Sequence, residues 1–118
     1  MNIVETMKAL PFYPELERRH QLFQRRVDEH CATQRHGSQV DIERDAPELA
    51  VPGIMLGNLN KAAKRLDDLL AERVRPDEKE GYAQRVAEAR RALDALCESA
   101  INWVCDAEIT EKATHDAI

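Results

Sequence analysis

Apolar residues recur along most of this chain at alternating spacings of three and four, the rhythm of helices that bury one side. Near the start Ile3, Met7 and Leu10 follow it, and Asn2 with Glu5 has the form of a capping box. The spacing predicts a short amphipathic helix that stops at Pro11. Pro14 suits the first turn of a second helix, predicted over residues 14–36, with Glu15 and Glu17 near the positive end of its dipole. Leu16, His20, Phe23, Val27 and His30 form its seam, and Gly37 is placed to end it. Leu56, Leu59, Ala63, Leu66 and Leu70 are the seam of a third helix, predicted over residues 53–75 and closed by Pro76. Asp77 and Glu80 then form another capping box ahead of Tyr82, Val86, Ala89, Leu93, Leu96, Ala100, Trp103 and Ala107. That run predicts a last helix over residues 77–108, more than about 40 Å long at ~1.5 Å per residue.

The expected architecture is a single all-α domain: two main helices of about 20 residues, one of about 30 and a short N-terminal one. Residues 37–52 are a long link. Val40 and Ile42 alternate with polar neighbours but are too few for a strand, and Asp45, Ala46, Pro47 and Glu48 suit one helical turn. A link of this length is a crossover or a functional loop. Residues 109–118 are expected as a frayed tail.

The last helix carries an excess of apolar surface. Between positions 92 and 107 eleven of sixteen residues are apolar, and Asp94, Glu98, Asn102 and Asp106 form one narrow polar row. A surface helix buries a stripe little wider than 100°. Cys97, Ile101, Val104 and Cys105 fall outside the seam, so this half of the helix needs cover on a second side. The cover is a second copy, a different protein, or the N-terminal helix folded back. The expectation carried forward is a bundle completed by dimerisation, with Leu96, Ala100, Ile101, Trp103 and Val104 at the self-association surface. Phe12 and Tyr13, bracketed by Pro11 and Pro14, either staple the N-terminal arm (residues 1–13) to the core or capture a partner. On the second reading Met7, Leu10, Phe12 and Tyr13 are the partner-binding residues.

Composition narrows the chemistry. The chain has 118 residues, a net charge of -5 and 43% hydrophobic but only 4% aromatic residues, so its core is built mainly from Leu and Ala. An acidic balance lacks the simplest footprint of nucleic-acid binding. No apolar run approaches the ~18 residues of a membrane span, and the first ten residues lack the parts of a signal peptide. Cys31, Cys97 and Cys105 are an odd number without metal-motif spacing, which suits reduced thiols in the cytoplasm.

Glu17-x-x-His20 matches one element of a di-iron bundle but has no second copy. His30, Cys31 and His36 are irregularly spaced for zinc, and adjacent residues on a helix point about 100° apart, so His30 is not set beside the Cys31 thiol. No phosphate loop or nucleophile elbow is present. No catalytic, cofactor or metal residues are therefore expected, and no enzyme. Arg18, Arg19, Arg25 and Arg26 form two columns on one helix side. The alternative function is accordingly a small nucleic-acid-binding regulator, although Glu15, Asp28 and Glu29 stand close enough to neutralise several of them.

In layout the chain resembles the small QslA-like antiactivators of quorum sensing. The likeness is carried by the overall length, the helix from Leu59 to Val74 and the stretch Arg90-Arg91-Ala92-Leu93-Asp94-Ala95-Leu96-Cys97 through Trp103-Val104-Cys105. The resemblance implies a homodimer that binds the ligand-binding domain of a LuxR-type transcription factor and blocks that factor's own dimerisation. A non-enzymatic, protein-binding regulator is thus the expected function.

Overall fold

A computed structural model describes residues 2–33 and 47–116. Among these the protein is all-α, with helices α1 (Ile3–Lys8), α2 (Phe12–Thr33), α3 (Val51–Ala71) and α4 (Lys79–Asp116), and 3-10 turns at Pro47–Leu49 and Pro76–Glu78. The expected stop at Gly37 and the irregular stretch at positions 38–46 lie outside the described residues. So do the side chains of His30, Cys31 and His36.

The Asn2 cap forms as its sequence predicts: its Oδ1 accepts from the Glu5 N–H at 2.8 Å. A second acceptor comes from far along the chain. The Asp67 carboxylate takes the Ile3 N–H at 2.7 Å and the Val4 N–H at 3.1 Å, satisfying donors that a helix start leaves orphaned. This tether lays α1 on α3. Met7 of α1 joins the buried cluster that α4 also enters, but the backbones of the two helices do not approach each other, so α1 covers α3 rather than the last helix.

α2 begins two residues before Pro14, at Phe12, so the aromatic pair is helical rather than a stiff linker. Proline is tolerated there because the first N–H groups of a helix have no intrahelical acceptor. Leu16, Phe23 and Val27 are buried along its seam. The ring of His20, with Nδ1 buried and unpaired among the described residues, lies against Gly53 of α3. A Cβ at Gly53 would fall 2.6 Å from that nitrogen, so the glycine permits the close crossing of α2 and α3.

α3 ends at Ala71, short of position 75, because Glu72 turns extended and Pro76 disfavours helical backbone before it. The Tyr82 hydroxyl donates to the freed Leu69 carbonyl at 2.6 Å. The Leu69 side chain is 7% exposed, whereas the expected seam residue Leu70 is 46% exposed. The reversal into α4 is a 3-10 turn, closed by the Glu78 N–H on the Arg75 carbonyl at 2.9 Å, with no side-chain cap at Arg75.

α4 is antiparallel to α3 and longer than expected, 38 residues against 21 for α3. No Gly or Pro follows Gly81, so nothing local ends it. At ~1.5 Å per residue it outruns α3 by roughly 25 Å. The core lies where α1, α2, α3 and the middle of α4 meet: Met7, Leu16, Leu59, Ala63, Leu66, Ala89, Leu93, Ala100 and Val104 are buried together.

Candidate functional site

The overhanging end of α4 is held by one arginine. Arg19 of α2 donates from both Nη atoms to the Glu111 carboxylate, at 2.6 and 3.0 Å, and from Nε to Glu15 at 2.9 Å. Its guanidinium also stands 5.7 Å from the centroid of the Trp103 ring, within cation–π range. The Glu111 carboxylate is therefore held below its ordinary pKa of 4.5 by the hydrogen bond from Arg19, and Glu15 below the same value by its hydrogen bond from Arg18. Arg19 in turn is raised, first by its bond to Glu111. The segment expected as a tail is helical to Asp116, and the clamp ties it back to α2.

Folding lowers both carboxyl pKa values, so the pairing stabilises the overhang above the ordinary value and is lost as the pH falls through the lowered ones. Glu111 is 60% exposed, which limits an ion pair of this kind to less than about 1 kcal/mol. Acidification below about pH 4 is thus expected to raise amide hydrogen exchange at positions 108–114 before the rest of the fold responds. Glu111→Gln should reproduce that loss of protection at neutral pH. Unchanged protection in the variant would show that the clamp does not hold the helix end.

Beside the clamp α2 and α4 diverge and leave an open groove of about 700 Å³. Its apolar floor is formed by Leu22 and Phe23 of α2, Leu49 and Pro52 at the entrance to α3, and Trp103 and Ala107 of α4. Arg25 and Arg26 stand on the α2 wall; Asp106 and Glu111 stand on the α4 wall. Such a site can hold an apolar ridge flanked by charges of both signs. Among the described residues that line it there is no paired nucleophile and base.

The structure redistributes the residues singled out in the sequence. Met7, Phe12 and Tyr13 are 2%, 7% and 5% exposed and belong to the core. Tyr13 is further fixed by a 2.9 Å bond to its hydroxyl from Asn60. The arm is the staple, and of the expected partner-binding residues Leu10 alone, at 38% exposure, meets solvent substantially. Ala100 and Val104, expected at a dimer surface, are buried inside the chain, in the cluster shared with Leu16 of α2 and Leu59 of α3. Leu96 and Trp103 are half-buried, Trp103 beneath Arg19 at the groove; Ile101 is exposed.

Arg18 and Arg19 are tied to Glu15 and Glu111, so two of the four arginines of the alternative nucleic-acid face are neutralised within the protein. Among the described residues no group of three or more His, Cys, Asp or Glu could hold a metal ion. Burial and then the charge of Asp94 push the Cys97 thiol up, away from a reactive thiolate. No described helix is long and apolar enough to cross a membrane.

The groove itself escaped the sequence pattern. Leu22 lies off the α2 seam, Leu49 lies in the long link, and the clamp joins positions 92 apart. No protein-family model, curated protein or solved structure matches the chain. Its class follows from its own geometry: an elongated all-α protein, 61 × 37 × 24 Å, with an open groove where its longest helix leaves the bundle.

Proposed function

We propose that the chain is a non-enzymatic regulator that acts by binding another protein, seating an amphipathic helix of that partner between α2 and the end of α4. The groove carries this reading. It is open and apolar along its floor, with Arg25, Arg26 and Glu29 on the α2 wall, Asp106 and Glu111 on the α4 wall and Glu48 ahead of α3. Those are the attributes of sites that receive a helix, where apolar anchors fill the groove and flanking charges set orientation. A partner helix with acidic residues along its α2-facing side and basic residues along the other would match both walls.

The resemblance to quorum-sensing antiactivators makes the ligand-binding domain of a LuxR-type regulator the partner to test. Holding a helix from that domain's dimer interface would keep the factor monomeric. Trp103 is the single tryptophan of the chain and lies in the groove, so its emission reports occupancy directly. Titrating a LuxR-type ligand-binding domain lacking tryptophan is expected to shift that emission saturably. Leu22→Asp, at an exposed position of the groove, should weaken binding by roughly tenfold or more. Saturable binding unaffected by Leu22→Asp would move the site elsewhere. Failure of such domains to bind at all would remove this partner class.

A further inference from the structure

On the flank of α4 turned away from the groove, Ile101 is 44% exposed and Ile109 is 67% exposed, with the exposed Cys105 between them. The three stand four apart and form one stripe, about 150° around the helix from Trp103 and Thr110 at 100° per residue. α3 does not reach most of this stripe, and α2 meets the end of α4 on the other side, at Glu111. An exposed apolar row on an overhanging helix needs an occupant.

We propose that the occupant is a second copy of this chain, its α4 laid antiparallel on the first with Cys105 on the two-fold axis. The residues within seven positions of Cys105 carry the argument, because those on the stripe are complementary under that operation. Four positions either side stand Ile101 and Ile109, so each isoleucine meets the other copy's counterpart. Seven positions either side stand Glu98 and Lys112, both exposed, so an acid faces a base twice across the pair. A parallel arrangement sets Glu98 against Glu98 and Lys112 against Lys112, which is repulsive. A closed two-fold pair also uses one patch on both copies and leaves none open to further growth.

The area agrees. The monomer exposes 8598 Å², whereas a compact chain of its 13.5 kDa mass exposes about 6,500 Å². The excess, about 2,000 Å², reflects the elongated shape, and a standard-sized interface needs about 800 Å² from each copy. Its radius of gyration, 18.5 Å, likewise exceeds the ~13.5 Å of a compact domain of this length. The groove lies on the other flank and stays open in the pair, so this inference does not rest on the proposed partner.

The test uses the full chain alone. Light scattering across a concentration series is expected to show a monomer–dimer equilibrium. Ile109→Glu, at an exposed site, should raise the dimer dissociation constant by roughly ten- to a hundredfold with helicity unchanged. Glu98→Lys should weaken the pair, and adding Lys112→Glu should restore it, which only the antiparallel register allows. With Cys31 and Cys97 replaced by Ser, mild oxidation should link the dimer covalently through Cys105. A strict monomer at every concentration would overturn the proposal. So would a dimer indifferent to Ile109→Glu, or one that the double charge exchange fails to restore. Partner binding by Trp103 emission is a separate readout, so failure of one reading leaves the other standing.

Discussion

Leu59→Ala is expected to destabilise the protein by about 2–5 kcal/mol, the cost of removing a buried leucine and leaving a void. Leu59 is 1% exposed and lies in the same cluster as Leu16 and Leu66, where the helices converge. The cluster contains two aromatic residues, Phe12 and Tyr13, and many alanines, so its neighbours are poorly placed to collapse into the space. A small domain holds only about 5–15 kcal/mol of stability in total, so this one change removes a large part of it. Urea unfolding followed by circular dichroism measures the loss. Leu70→Ala is the control: the same substitution eleven positions on, at 46% exposure, should cost under about 1 kcal/mol. Equal effects at the two positions would mean that the α3 seam is wrongly placed.

Ala100→Leu should be damaging for the opposite reason. Ala100 is 0% exposed and lies in the same buried cluster as Ala63 and Ala89, where the helices pack closely. Three added carbons there have no space and must separate the helices, at a cost of about 1–3 kcal/mol or more. Ala95→Leu, on the exposed side of the same helix, should be nearly neutral. The comparison also separates two roles for Ala100. As a core residue it unfolds the monomer when enlarged, seen in a lower urea midpoint. As a dimer-surface residue it would leave that midpoint in place and change only the oligomeric state.

Much of the fold was legible along the chain because the signals that make a helix are local. Asn2 caps α1 through its own neighbours, Pro76 opens the turn before α4, and the buried seam of α2 at Leu16, Phe23 and Val27 is the one its spacing predicts. The departures differ in kind. A strict alternation of four and three drifts around a straight helix of 3.6 residues per turn, by about 20° each heptad. In α4 the buried side moves with that drift and takes in Val104, one position on from Trp103; in α3 it moves the other way, from Leu70 back to Leu69, near the helix end that Tyr82 holds.

The candidate sites were less legible, since a residue's type says that it prefers cover and not what covers it. Phe12 and Tyr13 read equally well as a staple or as a lure for a partner. Packing of α2 against α3, with Asn60 on the Tyr13 hydroxyl, made them a staple. The apolar excess of α4 was visible in the sequence. Its division was not: Ala100 and Val104 go to the core, Trp103 to the groove, and Ile101 and Ile109 to the open flank.

The sequence by itself therefore determined the helices, their order and most of their buried seams, because hydrogen bonding and side-chain periodicity act over a few residues. The tertiary structure alone decided how far α4 runs and which apolar side chains stay at the surface. Both depend on partners distant in the chain: Arg19 holding Glu111, Asp67 holding the start of α1, and α3 ending well before the helix it covers.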